Sequence, residues 1–186
     1  MGTNLGNLQA NARLIVDWNA QASVQNDTLS PTTNFTTLSK TISFNTATAN
    51  NTSGGADELY SAVVPVGASG NASVDLLNFQ DVVGQNSVAL ARVKYMSIQL
   101  LSTTDDTEVG SNAASISYDA TTAGAFAGFF ANATSKPIIT NGGFYAAGVV
   151  STGGSVVNTG AHIVKIINND AVLTASALIT IFGGTN

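Results

Sequence analysis

His162 is the first place to look for a general base, because it is the only histidine in a chain without cysteine. It stands at the start of an apolar run, Ile163–Ile167, and no neighbour in sequence offers it a partner. A structural histidine on a strand edge is the expected role. One histidine and no thiol also rule out the usual His/Cys zinc sets, disulfides and thiolate chemistry. The acidic run Asp105-Asp106-Thr107-Glu108 has enough oxygen to interest Ca²⁺, but lacks the spacing of an EF-hand loop. It is expected to be a solvated loop tip, and Asp57-Glu58 a pair of acids opening a strand. A glycosidase would need two carboxylates about 5–10 Å apart across a sugar. Nothing in the spacing of the eleven acids sets up such a pair.

The remaining signatures are equally sparse. There is no G-x-S-x-G elbow, P-loop or H-E-x-x-H. The Gly-rich pieces fall between strand candidates, where turns call for positive φ. The Asn-X-Ser/Thr triplets at Asn34, Asn71 and Asn132 are expected by chance in a chain so rich in these residues. Gly124-Ala125-Phe126-Ala127-Gly128 is a G-x-x-x-G outside any apolar span, so it carries no membrane-dimer meaning. Phe126, Phe129 and Phe130 are expected to plug the core. No catalytic, cofactor-binding or metal-binding residue is assigned, no cofactor is implied, and the chain is not expected to be an enzyme.

The elements that would position any site are short strands. Leu38–Asn45 alternates strictly: Leu38, Lys40, Ile42 and Phe44 against Ser39, Thr41, Ser43 and Asn45. That period of two marks a half-buried strand. Further strands are expected at Arg13–Trp18, Leu59–Val66, Val74–Leu76, Lys136–Thr140, Phe144–Val150, Ile163–Ile167 and Leu173–Phe182. Clusters such as Asn50–Gly55, Gly67–Asn71, Asn141–Gly143 and Asn168–Asp170 break the chain between them. Val88–Leu101 is ambiguous: Val93, Met96 and Leu100 fit a helical face, whereas Met96, Ile98 and Leu100 fit a strand. A short helical turn is expected near Ala89–Lys94, leading into a strand at Tyr95–Leu101. A second turn or short helix is expected at Ala123–Ala133. About eight to ten short antiparallel strands at this spacing predict an all-β fold, a jelly-roll-like β-sandwich or a barrel. Residues 1–37 read as an N-terminal arm with the first strand, the first ten residues being loose. Residues 38–186 read as a single β domain, and the whole chain as one domain.

Charge narrows the partners. Only 9% of the 186 residues are charged, against about 25% in an ordinary domain. The net charge is −5, and the six basic residues are scattered apart from Arg92 and Lys94. Nucleic-acid affinity depends on neutralising phosphates, so direct binding to DNA or RNA is not expected. The start, Met1–Leu5, has neither the positive nor the apolar region of a signal peptide, so none is expected. No apolar run approaches membrane length, so no membrane partner is expected either. So little charge beside 44% hydrophobic content suggests a surface that is covered in the working state.

Several segments occur in an order that resembles a family of small β-rich structural proteins of tailed bacteriophages and prophages. They are Leu38–Phe44, Gly55-Ala56-Asp57, Val74–Leu76, Ala89–Lys94, Phe126–Phe130, Asn141–Gly143, His162–Ile166 and Leu178–Gly183. The resemblance covers about residues 38–184 and carries no site residues. It implies a virion component in many copies, such as a capsid decoration or a head- or tail-associated protein. The expected partners are further copies, as a trimer or another symmetric oligomer, and other virion proteins such as the major capsid protein. Two other readings stand beside it. A carbohydrate- or receptor-binding sandwich would show an exposed aromatic platform among Trp18, Tyr60, Tyr95, Tyr118 and Tyr145. A small single-jelly-roll capsid protein would be expected to carry a basic arm, which the polar N-terminus lacks.

Overall fold

A computed structural model describes residues 9–16, 38–45, 56, 58–82, 84–101, 113–129, 136–148 and 154–185, the first two stretches as backbone. Twelve strands run through them: β1 (Gln9–Val16), β2 (Leu38–Asn45), β3 (Glu58–Val66), β4 (Asn71–Asp75), β5 (Arg92–Leu100), β6 (Ser115–Tyr118), β7 (Gly124–Ala125), β8 (Ile138–Thr140), β9 (Phe144–Gly148), β10 (Ser155–Val156), β11 (Ala161–Asn168) and β12 (Ala175–Gly184). There is no helix among the described residues. The fold is all-β, and its sheets are not closed into a barrel.

Two five-stranded sheets share one core. The first sheet runs β3, β12, β5, with β9 and β10 both on the far edge of β5. The second runs β4, β11, β6, β8, with the two-residue β7 parallel to β11. The reason is alternation. In β12, Ala175, Ala177, Ile179 and Ile181 are buried and the residues between them are half-exposed. Met96, Ile98 and Leu100 of β5 meet them from the same sheet. Ile116 and Tyr118 of β6, Ile139 of β8, and Val164 and Ile166 of β11 meet them from the other. Burying such branched side chains stabilises the fold by about 1.5–3 kcal/mol each. Phe126 is buried in this core and Phe129 packs edge-on against it, as expected, while Phe130 lies outside the described residues.

β1 and β2 form a separate antiparallel pair. Their register pairs Ala10 with Phe44, Ala12 with Ile42, Leu14 with Lys40 and Val16 with Leu38. β2 matches the expected strand; β1 starts at Gln9, inside the stretch expected to be loose.

The helical turn expected near Ala89–Lys94 is corrected: the segment leads into one continuous strand from Arg92. The turn or short helix expected at Ala123–Ala133 is a short strand at residues 124–125 and then a turn at 128–129, while residues 130–133 lie outside the described residues. The helix-like spacing of Val93 and Met96 has a physical cause. Phe182 pairs with Tyr95, but the next residue, Gly183, pairs with Val93, so Lys94 is an extra residue in a β-bulge. The bulge makes Val93 and Met96, three apart, point into the same core. β12 continues through Gly183 to Gly184, and at Gly183 a Cβ would lie 2.5 Å from the Arg92 carbonyl oxygen, so the close approach requires glycine. β6 and the short β7 and β10 were not expected from the sequence, and β4 begins at Asn71, within an expected turn.

Candidate functional site

The two lateral sides of the sandwich differ in how their strand edges are finished. On one side stand β3 and β4; on the other, β8 and the β9–β10 lane. β8 and β9 are consecutive in the chain but belong to different sheets. The turn between them is tied to both: Asn141 N–H donates to the Ala114 carbonyl (3.0 Å), and Gly142 N–H to the Leu100 carbonyl (3.1 Å). The Asn141 side-chain amide adds a bond to the Ala113 carbonyl (3.1 Å).

Backbone direction follows from these bonds, because successive residues of an antiparallel strand turn their N–H and C=O groups to opposite edges. Leu100 gives and takes bonds at Gly143 and Gly142, so Ile98 and Met96 face the same way, towards Tyr145 and Ala147. Phe144, Ala146 and Gly148 therefore turn their backbone groups outward. In the second sheet, Tyr118 N–H donates to the Pro137 carbonyl (3.0 Å), which directs Ile116 towards Ile139. Ile138 and Thr140 are then the outward residues of β8. Among the described residues these outward positions pair with no strand.

The same positions are apolar and uncharged. Ile138 is 67% exposed, Phe144 57% and Val156 of β10 54%. No charged residue and no proline occurs in β8, the turn, β9 or β10. Lys136 precedes β8 but lies 3.6 Å from the buried Asp119 carboxylate, which Lys165 also approaches at 3.6 Å. Between β9 and β10 the lane slips: Gly148 faces Tyr95 and Ser155 faces Val93, two residues on β5 against seven on the edge. Pairing with a further strand would thus be confined to residues 144–148.

The residues singled out in the sequence do not gather. His162 Nδ1 lies 2.8 Å from Asp75 Oδ1, 87 positions away, the partner that the sequence did not disclose. Asp75 also accepts from the Leu77 N–H (2.9 Å), so the pair staples β11 to the end of β4. Among the described residues no group of three His, Asp or Glu side chains could hold a metal. Trp18, Asp57, Asp105, Asp106 and Glu108 lie outside the described residues, while Glu58 is buried. The tyrosines are spread over separate walls. Tyr60 and Tyr145 pack against the core, where burial raises their pKa values. Tyr118 is wholly buried and its hydroxyl donates to the Phe126 carbonyl; burial, then Tyr145 and Asp119, push its pKa far up. Tyr95 lies against Phe182 on the outer face of the first sheet.

Lys94 and Asp119 are among the buried charges that the sequence reading missed. Lys94, at the bulge, is 0% exposed; burial lowers the pKa of its ammonium and the Arg92 guanidinium lowers it further. Asp119 closes the turn after β6. Burial alone would raise its pKa, but the Thr121 hydroxyl and N–H (2.5 and 2.9 Å), the Thr122 hydroxyl (2.8 Å) and Lys136 hold it well below the carboxylate range. The spacing Asp-x-Thr-Thr was the available signal, since short polar side chains after a strand form such turns. Comparisons with protein-family models, with curated proteins and with solved structures found no match.

Proposed function

We propose that the chain is a non-enzymatic structural subunit that works by assembling in many copies on a bacteriophage particle, as a capsid decoration or another head- or tail-associated component. One observation carries the assembly part. Among the described residues, β8, β9 and β10 offer strand backbone with no strand partner on this side, exposed apolar side chains and no charged side chain. Monomeric proteins blunt such edges with lysine, proline or inward charges, because a bare edge recruits another strand. An edge left bare is suited to being covered. The low overall charge agrees with this, and the resemblance of residues 38–184 to phage structural proteins suggests the particle.

The alternative, a glycan- or receptor-binding module, draws less support. Tyr60, Tyr95, Tyr118 and Tyr145 do not form one exposed platform.

Sedimentation of the purified chain, alone and with phage capsid and tail proteins, tests the proposal. The expected result is a concentration-dependent oligomer that also cosediments with a virion protein. A chain that stays monomeric at several hundred micromolar and binds no virion protein would overturn it.

A further inference from the structure

Resting on the assembly reading, we infer that the partner across the β8/β9 side is a second copy of this chain. The two copies would be joined by a two-fold axis perpendicular to the sheets, so that both sheets continue from one copy into the next. The geometry makes this economical. A two-fold brings each edge against itself running antiparallel, β9 against β9 and β8 against β8. The outward groups of Phe144, Ala146 and Gly148 then find partners in the first sheet, and those of Ile138 and the Thr140 N–H in the second, the Thr140 carbonyl already accepting from the Gly143 N–H (2.7 Å). Because the edges of both sheets lie on this one side, a single rotation satisfies both layers.

Charge favours a copy of the same chain. A protein of net charge −5 meets like-charge repulsion wherever acidic surface faces itself. Residues 138–148 contain no charged side chain, so here two copies approach without burying or opposing a charge. Ile138 from each copy, and Phe144 from each copy, would be brought to the seam and lose their exposure.

Size sets the strength. Five residues of β9 span about 17 Å, and two sheets about 10 Å apart with their side chains make a seam about 20 Å thick. That gives about 350–500 Å² per copy, about 700–1,000 Å² in all, the small end for specific contacts. A dissociation constant in the micromolar range is expected, a strength that becomes useful when many copies are held on one surface.

The test uses the full chain. Ala146 is exposed and its N–H points away from β5, so Ala146→Pro removes a seam donor without touching the β5 ladder. Sedimentation should show the dimer constant weakened at least tenfold, with the circular dichroism spectrum retained. Ala146→Lys and Ile138→Lys, which place a charge at the seam, should do the same and cover the case in which the proline variant misfolds. Val63→Lys, on the opposite side, should leave the constant within twofold. Hydrogen exchange should show the amides of residues 138, 144, 146 and 148 protected as concentration rises. Variants that oligomerise like the parent, or seam amides that exchange equally fast in monomer and oligomer, overturn this inference and leave the assembly reading standing. A parent chain that is monomeric throughout but cosediments with a virion protein also overturns it, and leaves the particle role intact.

Discussion

The two sides of this sandwich are built from the same kind of strand yet are finished in opposite ways. On the β3/β4 side the edge is guarded. Val82 N–H donates to the Leu59 carbonyl (3.1 Å), which shows that odd-numbered residues of β3 turn their backbone outward. Pro65 has the same parity, so it stands where its missing N–H removes an outward donor. Between them, Ser61 and Val63 have no strand partner on this side among the described residues. β4 is five residues long and ends in Asp75, whose carboxylate is held by His162 and Leu77. On the β8/β9–β10 side none of these devices occurs within the strands, although Lys136 and Pro137 stand at the threshold. Lys136 stays about half exposed and reaches to Asp119, and the Pro137 carbonyl accepts from the Tyr118 N–H. The difference teaches that edge protection is not a general property of this chain. It is applied to one side and withheld from the other.

The most severe way to break the comparison is to dislodge the unguarded lane from β5. Gly154 has φ +92°, and a Cβ there would lie 2.5 Å from the Val93 carbonyl oxygen and 2.8 Å from Lys94 Cδ. Gly154→Ala should destabilise the fold by about 3 kcal/mol, through positive-φ strain and a backbone clash. A denaturant titration measures it. The loss should be accompanied by faster exchange of the Val157 amide, which donates to the Ala91 carbonyl beside the bulge.

Next in size is the carboxylate that pairs with Lys136, the lysine at the threshold of the unguarded edge. Asp119→Asn should cost about 2 kcal/mol at pH 7, because charge-assisted bonds from Thr121 and Thr122 and the two lysines are weakened. The pH dependence has a definite sign. A carboxylate whose pKa is lower when folded than when unfolded stabilises the fold above the unfolded value, about 3.9. That stabilisation is lost progressively as pH falls below about 4. The parent should therefore lose stability steeply on that limb, and Asp119→Asn should flatten it. Thermal melts from pH 2 to 7 check this.

How much of this was legible in the sequence depends on distance along the chain. β2 could be read residue by residue, because a half-buried strand writes its alternation directly. β5 could not be, because the bulge at Lys94 converts a spacing of two into three at Val93 and Met96, which imitates a helix. β6 was overlooked because Ser115-Ile116-Ser117-Tyr118 is short and half polar, and β7 and β10 are two residues each. The edges were hidden for a deeper reason. Whether a strand is interior or lateral is decided by pairings such as Tyr95 with Gly148 or Ile116 with Ile139, which link distant segments. Asn141-Gly142-Gly143 announced a turn correctly. It did not announce that the chain passes there from one sheet to the other. The pairing of His162 with Asp75 was illegible for the same reason.

A smaller change should sharpen the comparison by opening the guarded side. Pro65→Ala restores an outward N–H on β3 beside the exposed Val63. The folded contacts hardly change, so stability should fall by only about 0.5 kcal/mol, mostly through a freer unfolded chain. The informative readout is association. If proline guards this edge, the variant should form larger species than the parent at equal concentration, by light scattering. An unchanged mass would show that Pro65 is not a guard, and the asymmetry between the sides would lose one of its supports.

The smallest expected effect is in some ways the most discriminating. Contacts between exposed charges weaken as salt shortens the screening length from about 10 Å at 0.1 M to about 3 Å at 1 M. A seam made from residues 138–148 contains no charge to screen. Association through it should change less than about threefold between 0.1 and 1 M NaCl, with any drift towards tighter binding as repulsion between the acidic bodies is screened. Association through the guarded side, where Asp75 stands at the end of β4, or through the outer face of the second sheet with Lys136 and Lys165, should respond more strongly. Sedimentation across that salt range therefore separates the two sides without any substitution. Strong weakening by salt would move the contact away from the uncharged edge and onto the charged surface.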